Sequence, residues 1–140
     1  MKHLPNIATF LLMVASMMTL AQGQAGAPGI KLTVPFSFVI GRSAFSAGDY
    51  LIYSVKDKVW VQEASGRNIA VLFSEPLDGE VPQQDGKVIF DCYSEECFLS
   101  QVWIAGQDSG RTLPRSKRHV HLASTGVSQQ FALLGRKARR

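Results

Sequence analysis

The chain lacks any apolar run long enough to cross a membrane. Its longest, Ile7–Leu20, has fourteen residues, whereas a transmembrane helix needs roughly 20. This run follows the basic residues Lys2 and His3 and precedes small residues at positions 21, 23 and 25, which is the layout of a secretory signal peptide. We therefore predict that residues 1–25 are a helical signal peptide removed on export, with a membrane anchor as the alternative. The mature protein is then periplasmic or secreted, with no membrane span.

Cysteine is scarce, since the chain has only Cys92 and Cys97. Their C-x4-C spacing differs from the C-x2-C pairs of zinc and thioredoxin-type sites, and no second pair exists to complete a metal site. Two cysteines in an exported protein indicate a disulfide rather than free thiols. We predict a Cys92–Cys97 disulfide.

Sequence motifs typical of catalytic sites are also missing. The sequence has no G-x-S-x-G, no H-E-x-x-H and no glycine-rich phosphate loop. Beyond residue 25, histidine occurs only as His119 and His121, which would share a face of a strand but lie among four cations, a poor setting for a metal. The acids Asp78, Glu80 and Asp85 miss the spacing of a calcium loop. We predict no catalytic residue, no metal and no cofactor.

Acidic residues are absent from positions 111–140, which carry eight lysines and arginines. Positions 30–110 instead carry eleven acids against six basic residues. We predict a β domain over 30–110 and a basic tail over 111–140 that is partly helical or disordered. A helix could start near Leu113-Pro114, or His119–Leu122 could equally form a short strand, and Gln129–Arg140 is at best a short frayed helix. The candidate residues for binding an anionic surface are Arg111, Arg115, Lys117, Arg118, His119 and His121.

Alternation of apolar and polar residues is the main structural signal. From Ile30 to Ile40 every second residue is apolar, which predicts a strand with one buried face. Pro35 cannot donate to a ladder, so it indicates an edge strand or a bulge. Further strands are predicted at Tyr50–Val55, Val59–Ala64 and Ile69–Ser74, and an exposed loop at 75–86.

Two apolar runs, Lys87–Cys92 and Cys97–Ile104, flank a four-residue polar connection and predict a β-hairpin. Pairing of the cysteines would place Phe90 opposite Leu99 and Val88 opposite Gln101, with Trp103 on the same face. Turn signals every eight to twelve residues then predict an all-β domain of about six strands. It is an antiparallel meander, closed as a barrel or stacked as a sandwich.

Three segments resemble a group of small exported bacterial β-domain proteins. Val34–Ile52 matches the pattern V-P-F-x-F followed by A-G-x-Y, Phe98–Trp103 reads F-L-S-Q-V-W, and Gly110–Arg118 is close to G-R-x-L-P-x-S-x-R. The resemblance implies a signal peptide, a small β domain and a basic C-terminal segment, and it brings no activity or site residue. The C-x4-C pair is not a regular part of the pattern, and the tail after Ala123 is less charged and less helical than in the group.

Aromatic residues suggest a second class of function. They would fill a core, or line a cavity for a small apolar ligand, with Tyr53, Trp60 and Trp103 as candidates and with Tyr53 and Trp60 the more exposed. We expect a non-catalytic envelope protein that binds or scaffolds through its surface. Its basic tail would contact an anionic envelope component or the protein's own acidic domain, without specific nucleic acid. A carrier of an apolar ligand in a barrel interior is the alternative, and an enzyme of unknown class comes third.

Overall fold

The computed structural model describes residues 27–79 and 84–139, so the predicted signal peptide at 1–25 lies outside the described residues. Strand accounts for 62% of the structure and helix for 8%, which confirms the all-β class. The strands are β1 (Pro28–Val34), β2 (Phe38–Ile40), β3 (Ser43–Phe45), β4 (Gly48–Val55), β5 (Lys58–Glu63), β6 (Asn68–Phe73), β7 (Glu75–Asp78), β8 (Gly86–Tyr93), β9 (Glu96–Trp103), β10 (Ser109–Thr112) and β11 (Gln129–Arg139). The helix α1 covers Lys117–Thr125.

Nine strands follow one another in a sheet that curls into a half-barrel, in the order β3-β2-β9-β8-β11-β1-β4-β5-β6. Strand β10 pairs with the second half of β9 and carries β7 on its other side. Every pairing is antiparallel except a single parallel contact of Val39 in β2 with Phe98 in β9. The prediction of about six strands is too low, because several strands are short and β7 lies in the stretch predicted as a loop.

The alternating stretch from Ile30 to Ile40 forms two strands instead of one. Ile30, Leu32 and Val34 point into the core as predicted. The strand ends before Pro35, whose missing N–H cannot extend a ladder, and the chain resumes as β2 beside β9. The expectation of an edge strand is wrong for β1, which lies between β4 and β11.

The segment predicted as a frayed basic helix is a strand of the sheet. β11 pairs with β8 over Gln129–Gly135 and with β1 over Arg136–Arg139. Main-chain hydrogen bonding to two neighbours stabilises an extended chain even where apolar residues do not alternate, as at Leu133-Leu134. The predicted boundary at 110/111 falls inside β10, so the proposed tail is structurally continuous with the sheet.

A pair of glycines lets β11 pass from one neighbour to the other. Gly135 faces Gly86 across the ladder, and both lie against the fully buried Ile30. A Cβ at Gly135 would come within 1.9 Å of the Cγ2 of Ile30, and one at Gly86 within 2.9 Å of its Cγ1. Side chains at both positions are therefore excluded unless Ile30 moves.

The β8–β9 hairpin confirms the predicted disulfide between Cys92 and Cys97, which are directly opposed. Phe90 lies opposite Leu99 as predicted, but Val88 faces Val102 instead of Gln101. A bulge between Ile89 and Phe90 shifts the register, and it turns Trp103 to the outer face. The connection is also shorter than predicted, with Ser94 and Glu95 between the strands.

The core occupies the concave side of the half-barrel. It is filled by one cluster of buried side chains drawn from both halves of the sheet, from the β9–β10 connection and from the segment before α1. The members that are at most 2% exposed are Ile30, Val34, Phe38, Ile52, Val59, Val61, Val88, Phe90, Val102 and Ile104.

Candidate binding groove

A groove of about 900 Å³ opens beside the start of α1, and we call it the α1 groove. Its walls come from β2, β3 and their turn, from Leu72 of β6, from Glu95–Phe98 at the tip of the β8–β9 hairpin, and from Pro114–Arg118. Its lining is mostly apolar, and Phe38 and Phe98 are among the lining residues. Ligand sites in proteins are typically concave and apolar with a few polar groups, and the α1 groove matches that description.

The predicted anion-binding residues divide between the groove and other places. Arg115, Lys117 and Arg118 lie on its rim. Arg111 does not, because its guanidinium donates to the hydroxyl and carbonyl oxygens of Ser74 at 2.8 and 2.6 Å. His121 is exposed on α1 away from the groove, and His119 is buried.

One rim cation is neutralised by the protein itself. The guanidinium of Arg118 contacts both carboxylate oxygens of Glu96, with Nε at 2.9 and 2.7 Å and Nη2 also in contact. These hydrogen bonds hold the pKa of Glu96 below its usual value, and the carboxylate raises the pKa of Arg118. The ion pair ties the first turn of α1 to the hairpin tip.

The remaining rim cations are open to solvent. Arg42 and Lys117 are exposed and form no ion pair with another described residue. Arg115 is 54% exposed and has only a long contact, 3.9 Å, to the carboxylate of Asp91. Three cations therefore face the groove opening, and little negative charge other than that of Glu95 offsets their positive charge. The local potential there favours an anionic group.

Beneath the rim, a buried polar cluster joins α1 to two strands. Asp91 of β8 accepts a hydrogen bond from Gln130 of β11 at 3.2 Å, and its other oxygen lies 3.2 Å from Nε2 of His119. Asp91 and His119 are each 3% exposed. The imidazole stacks on Phe98 at 4.5 Å and meets Tyr93 edge-on at 5.6 Å.

Burial lowers the pKa of His119 below its usual value, and this outweighs the opposing effect of Asp91, while Arg115 lowers the pKa further. His119 is therefore neutral at pH 7. A histidine beside a carboxylate is a common catalytic arrangement, but both groups are shielded from solvent. Their observable role is to fix α1, because His119 is the buried residue of that helix.

The helix also separates the two histidines that would share a face in a strand. On an α-helix, residues two apart point in different directions, so His119 and His121 form no chelating pair. Within residues 27–79 and 84–139, no three His, Cys, Asp or Glu side chains come together to hold a metal. Of the loop acids considered for calcium, Asp78 is at the end of β7, and Glu80 lies outside the described residues.

The three aromatic candidates for a ligand cavity are not brought together. Tyr53 stacks on Trp60 at 6.0 Å, on the convex side of the sheet because their neighbours Ile52, Val59 and Val61 fill the core. The expectation that Tyr53 is exposed is wrong, since it is 0% exposed.

Trp103 lies on the convex side of the other half of the sheet. The bulge in the hairpin reverses its direction, and a Cβ at Gly110 would come within 2.6–2.8 Å of its ring. The amino group of Lys87 lies 5.5 Å from the ring centroid. None of the three predicted aromatic residues belongs to the core cluster on the concave side or lines the α1 groove.

Sequence reasoning missed the residues that complete the groove, namely Arg42, Phe38, Phe98 and Leu72. Arg42 stands alone in a turn, and no pattern connects it with Lys117, which is 75 positions away. The signal that existed was the cation cluster at 115–118 beside Pro114, which located the other wall.

Comparison with family models, with curated proteins and with solved structures finds no match for this chain. Among the described residues, no helix is long and apolar enough to span a membrane.

Proposed function

We propose that this protein is an exported, non-catalytic binding domain of the cell envelope that holds an anionic partner in the α1 groove. The observation that carries the proposal is the convergence of Arg42, Arg115 and Lys117 on the opening of an apolar groove. The cations come from two distant parts of the sequence, and the fold alone brings them together.

The chemistry of the groove supports a partner with both apolar and acidic parts. Contact with the apolar lining removes a ligand's apolar surface from water, and this makes the free energy of binding more favourable. Cations at the rim attract an anionic group and orient it. Arg118 contributes less to this attraction, because Glu96 already neutralises it.

Export remains part of the proposal. It is supported by the signal-peptide layout of residues 1–25 and by the Cys92–Cys97 disulfide, which persists in oxidising compartments. The resemblance to small exported bacterial β-domain proteins agrees with it.

A carrier function for an apolar ligand is the second candidate. The interior of the half-barrel is occupied by its own side chains, so such a ligand would also use the α1 groove, whose volume of about 900 Å³ suits a small molecule. A neutral ligand would bind without help from the rim cations. The two candidates therefore differ in their dependence on charge.

The test reverses a rim charge without weakening the fold. Lys117 is the first residue of α1, where an acidic side chain is favoured by the helix dipole, so Lys117→Glu should leave stability intact. It should weaken binding to phosphatidylglycerol vesicles or to fluorescent polyglutamate by about tenfold at low salt.

The matched control is Lys137→Glu, an identical charge change at an exposed position of β11 that does not line the groove. It should alter binding by no more than about twofold, the level expected of long-range charge alone. Equal losses in Lys117→Glu and Lys137→Glu would show that net charge, and not the groove, governs binding. Uptake of a neutral apolar dye that is insensitive to both reversals, without anion binding, would favour the carrier.

A further inference from the structure

The sheet has two edge strands, β3 and β6, and they differ in how readily another strand could pair with them. At one end, β3 has three residues, two of them exposed and one half-buried. At the other end, β6 has six residues, Asn68–Phe73, and among the described residues it pairs only with β5. Six residues offer about 20 Å of main chain with hydrogen-bonding groups on the outer edge.

Strand β6 lacks the devices that usually keep an edge from pairing. Its sequence, NIAVLF, contains no charge and no proline, and the single irregularity of its ladder lies at its first residues. On its convex face Val71 is 45% exposed and Phe73 is 67% exposed. An uncharged edge strand with exposed apolar side chains is a template for an additional strand.

The free edge of β6 opens onto the α1 groove. Leu72 points to the concave side, since it is paired with the buried Val59, and it lines the groove together with β2 and β3 from the opposite end of the sheet. Both ends of the half-barrel therefore border one cavity. A chain lying along β6 would place alternate side chains toward the groove beside Leu72, and Arg42 and Lys117 on the rim of that groove would attract acidic residues of the chain.

We infer that the partner in the α1 groove is an extended acidic polypeptide segment that adds to β6 as a further strand of the half-barrel. This inference rests on the proposed function and names its partner. The outer edge of β6, which pairs with no described strand, favours a peptide over a lipid, because a lipid would leave those hydrogen-bonding groups without a strand to pair with. The rim cations determine the charge of the segment, and the geometry of a strand gives its side chains a period of two.

The experiment uses fluorescent peptides of about nine residues in which valine alternates with threonine, a length matching β6 with a short acidic extension. One peptide carries a pair of glutamates at one end, a second carries lysines instead, and a third is the acidic peptide N-methylated at alternate positions along one edge. The acidic peptide should bind the whole protein best. N-methylation replaces main-chain N–H donors by methyl groups and leaves every side chain unchanged, and it should weaken binding by about tenfold or more. Hydrogen exchange of the β6 amides should slow when the acidic peptide is added.

Two variants of equal charge locate the contact. Leu72→Glu directs a carboxylate into the groove along the path of the added strand, whereas Val71→Glu directs it to the convex face. We expect the first to weaken peptide binding by about tenfold and the second by no more than about threefold. The N-methylated peptide keeps the inference testable on the unmodified protein if Leu72→Glu does not fold.

Equal affinity for the methylated and unmethylated peptides would overturn strand addition. So would phosphatidylglycerol vesicles that bind while no alternating peptide does, since the partner would then be an amphiphile. In both cases the proposed function stands as long as Lys117→Glu still weakens vesicle binding. If Lys117→Glu has no effect on any probe, the proposed function itself fails.

Discussion

Helix α1 is held to the β8–β9 hairpin by two acid–base contacts of opposite character. Glu96 and Arg118 meet at the surface, where the side chains are 33% and 62% exposed. Asp91 and His119 meet beneath them, each at 4% side-chain exposure. Water can replace either partner in the outer contact. In the inner contact each polar group depends on the other, so the inner contact determines where the helix lies.

The difference follows from the free-energy cost of leaving a polar group without a hydrogen-bond partner. An exposed ion pair exchanges contacts with water for contacts with protein, and salt screens what it gains. A buried group whose partner is removed loses the hydrogen bond and has no water to replace it. The outer pair should therefore contribute little stability although its geometry is the better of the two.

The largest effect is expected from Asp91→Ala. It leaves Nε2 of His119 and the amide of Gln130 without their shared acceptor, and we expect a loss of about 3 kcal/mol in the free energy of unfolding. Urea denaturation followed by tryptophan fluorescence measures this. A loss below about 1 kcal/mol would mean that the inner contact is no more important than a surface pair.

An intermediate effect is expected from pH. The folded-state pKa of His119 lies below its usual value of 6.5, so the unfolded chain binds the proton more tightly. The stability that neutral His119 contributes is complete above pH 6.5 and is lost as the pH falls through the lowered folded-state pKa, at up to about 1.4 kcal/mol per pH unit.

His119→Gln provides the control for the pH dependence, because glutamine keeps a polar side chain that does not titrate. The difference between the unfolding free energies of the two proteins, measured from pH 8 to pH 5, should follow His119 alone. A difference that stays constant over this range would show that the histidine titrates normally.

The smallest effect is expected from Arg118→Gln. Loss of the outer ion pair should change stability by no more than the error of a denaturation curve, and the change should vanish in 1 M salt. Arg67→Gln is the matched comparison, since Arg67, in the turn between β5 and β6, pairs with Glu63 at a similarly exposed site. A clear loss for Arg118→Gln but not for Arg67→Gln would make the outer contact a second anchor of the helix.

The parts of the fold that could be predicted are those determined by residues close together in the sequence. Alternation in β1, the turn residues around β4, β5 and β6, and two opposed cysteines each determine structure within a few residues. Strand β11 carries no such signal, because its Leu133-Leu134 pair fits neither a one-sided strand nor a long helix. Its conformation is decided by hydrogen bonding to β8 and β1, which lie far away in sequence.

The candidate site shows the same division. The cations at Arg115, Lys117 and Arg118 were recognisable from their spacing, whereas Arg42 and Leu72 join them only through the curl of the sheet. The face of Trp103 depended on one bulge, and a register shift of one residue reverses every side chain beyond it. Such a shift leaves no mark in composition or in periodicity.

The position of β11 also affects the order of folding. Arg139 pairs with Pro28, and Lys137 pairs with Ile30, so a strand near the end of the sequence lies between β1 and β8 in the middle of the sheet. The two halves of the sheet cannot join until that strand is present. Contacts so distant in sequence slow folding, because a long loop must close before they form. Under the proposed export, a chain that crosses a membrane unfolded would benefit from this delay, since the sheet stays incomplete until β11 has followed.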